Sequence, residues 1–242
     1  MVEEALAALR ELPGADVKVC AIEGRSLEPI DVDFSSIRDE PMQLVYESLA
    51  HMVGRLDDYD YFINVEDDIL VPRETLANIV AFDAESLVNE VLHPNRIEID
   101  ETGRRFCVDL EAFPGWTHQR RTYDGRELRV ALNPHSGVVI LSRDKLRYAL
   151  RHIDVGYRGP FLKYPMDSAP AYYLSPFSLW RPYEDLEFHT VTHLDRWAGV
   201  RRPKQATAAP GVSPPVQPPS RWKALARDFT PPILLRHRPR RK

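Results

Sequence analysis

Apolar residues recur at helical spacing from the first turn of the chain: Ala5, Leu6, Leu9 and Leu12 predict a helix over 2–12, stopped at Pro13-Gly14. The run Val17-Lys18-Val19-Cys20-Ala21-Ile22 predicts a strand, and residues 25–39, with little periodicity, a loop. Leu44, Val45, Leu49, Met52, Val53 and Leu56 fall on one face of a helix over 41–56. Tyr59 to Val65 then reads as a short apolar strand that runs directly into three acids, Glu66-Asp67-Asp68. Pro72 opens the next helix, which reaches about Ala81; at a helix's first turn the missing N–H of proline costs nothing.

In the middle of the chain the period changes. Arg96 to Leu110 predicts a strand, a turn at Glu101-Thr102-Gly103, and a second strand. Gln119 to Leu132 repeats that plan around Asp124-Gly125, a dipeptide that supplies the positive φ a tight hairpin needs. Ser136 to Ser142 predicts a buried strand, Lys145 to Ile153 a helix, and residues 157–165 a loop. Asp167 to Leu174 predicts a short helix and Glu187 to Leu194 a last strand. Alternation of strand and helix over the first 80 residues argues for parallel pairing, and the later hairpins for a mixed sheet, so an α/β fold is expected.

The pattern stops near residue 200. Residues 201–220 are rich in proline (Pro203, Pro210, Pro214, Pro215, Pro218, Pro219) and predict a linker without a core. Residues 221–242 mix apolar and basic side chains and predict either a disordered, solvated tail or a basic amphipathic one that docks on anionic membrane. Residues 201–242 carry eleven Lys/Arg and one acid, Asp228; subtracted from totals of 32 and 36, this leaves 21 basic and 35 acidic residues in 1–200. An acidic body argues against a nucleic-acid partner, but it still accepts a diphosphate if a divalent cation bridges the like charges. No run of 18 apolar residues and no signal-like N-terminus are present, and two cysteines, Cys20 and Cys107, predict buried thiols rather than a disulfide framework. These features suit a cytoplasmic protein, or one peripheral to the inner face of the membrane through its tail.

Two adjacent carboxylates at the end of a buried strand repel each other, and a hard divalent cation relieves the conflict with oxygen ligands alone. Along an extended chain the three acids would point in alternating directions, one to a metal and its neighbour elsewhere. The bland explanation is that they favour the N-terminus of the helix opening at Pro72.

The stretch Tyr59-Asp60-Tyr61-Phe62-Ile63-Asn64-Val65-Glu66-Asp67-Asp68-Ile69 resembles the D-x-D segment of GT-A glycosyltransferases. That resemblance spans about residues 1–198. It implies a Rossmann-like, mainly parallel central sheet flanked by helices, with inserted β-hairpins, over a catalytic domain of residues 1–200. It implies that Glu66, Asp67 and Asp68 bind a nucleotide-diphosphate sugar, with Asp68 the ligand of Mn²⁺ or Mg²⁺. Glu66 departs from the usual first Asp of the motif. Family members begin with a strand that contacts the nucleotide base, whereas this chain starts in what reads as the first helix. Either that strand is missing, the gene start is misplaced, or residues 17–22 take its role.

The same resemblance implies that His193 or His189, from Phe188-His189-Thr190-Val191-Thr192-His193, completes the metal shell; strand alternation puts both on one face. It implies an acceptor-flanking role for Ser136 and Gly137, in Asn133-Pro134-His135-Ser136-Gly137, and a general-base role for Asp167 near the acceptor hydroxyl, with Glu184-Asp185 a second candidate. Asp167 reads equally as a helix N-cap. The expected activity is transfer of a sugar to a saccharide or lipid-linked hydroxyl. The alternatives are a GT-A-like domain that binds sugars or a partner without turnover, and a metal-dependent nucleotidyltransferase, for which no Gly-rich phosphate loop is present.

Overall fold

A computed structural model describes residues 1–107, 115–162 and 165–194, positions 165–167 by their backbone only. The proline-rich linker, the basic tail and the far end of the predicted strand to Leu110 lie outside the described residues.

Five helices are present among them. Helix α1 (Val2–Arg10) buries Ala5, Leu6 and Leu9, the positions its period singled out. Helix α2 (Leu44–Val53) follows a single 3-10 turn at Pro41–Gln43, α3 is Arg73–Asp83, α4 is Arg143–Leu150 and α5 is Pro165–Leu174. Among the described residues no helix is long and apolar enough to cross a membrane.

Among the described residues twelve strands join in four small sheets. The first pairs β1 (Cys20–Ala21) with β2 (Val32–Asp33), and the second pairs β3 (Tyr61–Val65) with β10 (Val138–Ser142). The third has the order β5 (Glu90–Leu92), β11 (Ser178–Pro182), β9 (Arg126–Ala131), β8 (Trp116–Tyr123). The fourth has the order β4 (Ile69–Leu70), β12 (Thr190–His193), β6 (Asn95–Ile99), β7 (Arg105–Cys107).

The class is mixed α/β, as expected, but the expected mainly parallel central sheet is not what these strands form. Three pairings are parallel and five antiparallel. Two of the antiparallel pairings follow from tight turns, since a tight connection can only return the chain antiparallel. Asp124 and Gly125, at φ 48° and 72°, close β8 onto β9 with Tyr123 opposite Arg126. Gly103, at φ 83°, turns β6 onto β7. The strand expected over 17–22 shrinks to two residues, and β2, β4, β5 and β11 were not foreseen.

β10 holds the molecule together through its alternation. Val139 and Leu141 pack on one side with Tyr46, Leu49, Phe62, Leu146 and Tyr173, while Val138 and Ile140 pack on the other with Leu9, Ile69, Val71, Ile79 and Val191. Successive side chains of a strand point to opposite faces, so one five-residue strand joins two cores. Both cysteines are free thiols; Cys107 is buried and Cys20, on the two-stranded β1–β2 sheet, only half-buried.

Candidate functional site

The three acids do not continue β3. The Glu66 N–H donates to the Gly137 carbonyl at 2.9 Å, and the Ile69 N–H donates back to the Glu66 carbonyl at 3.2 Å. The acids therefore form a tight turn between β3 and β4 rather than an extended segment. Asp67 sits at its exposed tip, and Glu66 and Asp68 are half-buried. Asp68 does not cap α3: the N-cap is Pro72, with no side-chain cap bond.

Strand β12 brings His193 to this turn. It pairs antiparallel with β4, His193 opposite Ile69, and parallel with β6, Thr192 beside Ile97. The Leu194 N–H donates to the Asp68 carbonyl at 2.8 Å, which fixes the turn against the strand end. His193 Nε2 lies 3.0 Å from Asp68 Oδ2, and Nδ1 lies 2.8 Å from Glu98 Oε1. The imidazole is thus held between two carboxylates, Glu98 on the neighbouring β6 and Asp68 in the turn that leads into β4.

Burial works against charge on His193, but the hydrogen bonds to Asp68 and Glu98 outweigh it and raise its pKa to about 9. Burial likewise pushes the Asp68 carboxyl up, but the hydrogen bond to His193 together with the His193 and Arg96 charges leaves it below its ordinary value. Arg96 on β6 lies near enough to act on both charges. His193 is therefore an imidazolium whose single charge offsets one of the two flanking carboxylates. The second Asp68 oxygen, Oδ1, is buried with no hydrogen-bond partner. A buried, unsatisfied carboxylate oxygen is costly, and a cation would satisfy it.

Among the described residues no three His, Cys, Asp or Glu side chains converge as a cage for a metal ion. Asp68 and Glu98 meet opposite ring nitrogens of His193, so the two carboxylates lie on opposite sides of the ring. One or two protein ligands completed by substrate phosphates is how a substrate-bridging Mg²⁺ is usually held.

His189 is not brought to Asp68. Its Nε2–H donates to the Leu92 carbonyl at 3.3 Å in a fully buried setting. Positions 189 and 193 share a face, yet four residues of strand span about 13 Å, so the two imidazoles serve different neighbours. Burial, with the Arg181 charge adding to it, pushes the His189 pKa down to about 3 despite that hydrogen bond. An unfolded chain would protonate this imidazole from about pH 6.5 downward while the folded chain would not until about pH 3, so stability falls across that window as pH drops. We expect His189→Gln, whose amide can keep the bond to Leu92, to lose a few kcal/mol less than wild type between pH 6.5 and pH 4 in urea melts. Parallel stability–pH curves would contradict this.

Ser136 is 1 % exposed and lies 3.0 Å from His93 Nε2 and 3.3 Å from the Val138 carbonyl. Its hydroxyl is thus engaged inside the fold rather than presented to an acceptor. The loop around it is anchored residue by residue. His93 Nε2 reaches the Pro134 carbonyl at 2.7 Å, Arg181 donates to the His135 carbonyl at 2.6 Å, and Arg96 donates to His135 Nε2 at 2.8 Å. This frame delivers Gly137 onto the acidic turn, where a Cβ would stand 2.6 Å from Ile69 Cγ1 and 3.1 Å from Glu66 Oε2. Asp167 falls in the backbone of α5, and its side chain lies outside the described residues. Asp185 pairs with Arg126 at 3.0 Å on the surface.

Sequence reasoning missed Glu98, Arg96, His93 and Arg181. The only available signal was a charged residue set among apolar ones in a strand, as in Arg96-Ile97-Glu98-Ile99. Compared with protein-family models, curated proteins and solved structures, the chain matches none.

Proposed function

We propose that this chain is a metal-dependent glycosyltransferase, which moves a sugar from a nucleotide-diphosphate donor to a saccharide or lipid-linked hydroxyl. One observation carries the reading: Asp68, at the end of an apolar strand, keeps a buried carboxylate oxygen without a partner while His193 meets its other oxygen at 3.0 Å. Carboxylate oxygen with imidazole nitrogen suits Mn²⁺ and also accepts Mg²⁺.

Asp68 would hold the cation, joined by His193 once its Nε2 proton is released, and the cation when bound would offset the negative charge gathering on the leaving diphosphate. Glu66 and the exposed Asp67 line the same turn and are the candidates for contact with the donor's ribose or sugar. Gly137 lets the backbone of the β10 loop lie against this turn without a side chain intervening. Asp167 keeps the role of base toward the acceptor hydroxyl in this reading.

The test is a thermal-shift series on the full chain with nucleoside-diphosphate sugars, with and without Mn²⁺. At a hundredfold excess over Kd, a cognate donor with Mn²⁺ is expected to raise Tm by roughly 5–10 °C, and neither alone should approach this. Sugar transfer or donor hydrolysis then separates an enzyme from a domain that only binds. Failure of every nucleotide to stabilise the chain in the presence of Mn²⁺ would remove the reading.

A further inference from the structure

The outer side of α3 is apolar where a surface helix ordinarily carries charge. From Thr75 to Phe82 the helix has no charged side chain. Its inner side buries Thr75, Ile79 and Phe82. On the opposite side Ala77, Val80, Ala81 and Ala84 follow one another at the i, i+3, i+4, i+7 spacing of a single face, and all four are exposed. Leu87 and Val88 continue this surface in the turn that leaves the helix; Val80, Leu87 and Val88 are 45 %, 67 % and 41 % exposed. A helix that is apolar all round is normally buried, and exposed apolar residues grouped in this way mark a contact surface.

The sequence beyond the described residues supplies a matching face. Trp222, Leu225, Ala226 and Phe229 recur at the same i, i+3, i+4, i+7 spacing, with Arg221, Lys223 and Arg227 beside them. Large side chains in that stripe would meet small ones on α3, which is how facing helices interdigitate. The charges agree as well. Residues 201–242 carry eleven Lys/Arg against one acid, and residues 1–200 carry 35 acids against 21 basic residues. Glu74 and Glu85 stand exposed at the two ends of the α3 face, and Arg73 is the single base of that helix.

Reach permits the contact within one chain. Strand β12 starts against α3: Thr75 Oγ1 donates to the Thr190 carbonyl at 2.6 Å, and Asn78 Nδ2 to the Phe188 carbonyl at 3.2 Å. About 13 Å of strand leads from Thr190 to Leu194 and about 14 Å of helix from Thr75 to Ala84, which puts the far end of the face within roughly 35 Å of the last described residue. The 26 residues from 195 to 220 span roughly 30 Å as a flexible chain. A tether whose length matches the span keeps its end near the face at an effective concentration on the order of millimolar.

We propose that residues 221–229 form a short amphipathic helix that docks on the outer face of α3 in the same chain, its stripe from Trp222 to Phe229 lying on Ala77, Val80, Ala81 and Ala84. Nine residues are too few for a stable isolated helix in water, so packing on α3 supplies the stabilisation. The inference is independent of the metal-dependent reading: it uses neither Asp68 nor His193.

The experiment places the photocrosslinker benzoylphenylalanine at position 222 of the full chain, in place of Trp222, and maps its crosslinks by mass spectrometry at low micromolar concentration. Crosslinks within one chain to residues 77–88 are expected, at a yield unchanged by dilution. Val80→Lys puts an ammonium under the apolar stripe and should cut that yield about tenfold. Phe229→Asp, which lies outside the folded body, should do the same, and decides alone if the Val80 variant does not fold. Crosslinks between chains that fade on dilution would show a second copy's tail on this face and overturn docking within one chain. Crosslinks only elsewhere, no crosslinks, or a yield unchanged by either folded variant would overturn it too. A last arm adds phosphatidylserine vesicles to the same chain: binding of the tail to vesicles, with no crosslink to 77–88 in their absence, would assign the tail to an anionic membrane instead.

Discussion

On the proposed glycosyltransferase reading, Asp68→Ala should reduce Mn²⁺-dependent sugar transfer by about a thousandfold, the scale on which removal of a group that stabilises developing charge is felt. Alanine removes both oxygens: Oδ2, which meets His193 at 3.0 Å, and the buried Oδ1 that has no partner. Stabilisation of the chain by donor plus Mn²⁺ should vanish with activity, because the same contact is needed for both. A second readout needs no substrate. With one of its two carboxylates gone, His193 of the metal-free chain should titrate well below the value of about 9 that the pair sustains, as followed by its ring proton resonances. Asp68→Asn keeps an oxygen in place without the charge, and should fall between alanine and wild type in both measurements. An alanine variant that still transfers sugar at wild-type rate would mean that the cation, if there is one, binds elsewhere.

Gly137→Ala should destabilise the chain by about 2–4 kcal/mol, combining overpacking with the cost of a left-handed backbone for alanine. The backbone there stands at φ 71°, and a Cβ would meet Ile69 Cγ1 at 2.6 Å and Cδ1 at 2.8 Å. Ile69 cannot retreat: it is fully buried and packed among Leu9, Val71, Ile79 and Val191. In a chain of this size the loss corresponds to a drop in Tm of roughly 5–15 °C. Because Glu66 Oε2 would lie 3.1 Å from the new carbon, the acidic turn must shift too, and donor binding should weaken in the protein that remains folded. Separation of the two effects comes from measuring donor affinity well below the new Tm. A melting temperature within 2 °C of wild type would show that the loop moves aside freely, contrary to its anchoring through His93, Arg181 and Arg96.

Asp68 and His193 illustrate why part of this site was legible. Both close apolar runs, and the ends of buried strands are where side chains leave the core and become available to ligands. His189 illustrates the limit. Period two correctly put it on the face of His193, but period says nothing about separation along the strand, and its imidazole ended against the Leu92 carbonyl instead. Ser136 failed for a related reason. A hydroxyl beside a glycine reads the same whether it faces solvent or, as here, is enclosed with His93.

Local periods and turn residues were enough to determine the five helices, the two hairpins at Gly103 and Asp124-Gly125, and the apolar strand that delivers the acids. Those features depend on interactions within a few residues. Only the tertiary structure decided that β12 lies between β4 and β6, and with it that His193 is held between Asp68 and Glu98, residues 125 and 95 positions away in sequence. Strand order and register are set by how two cores share β10 and by which edges remain to be paired, and neither is a property of any single segment.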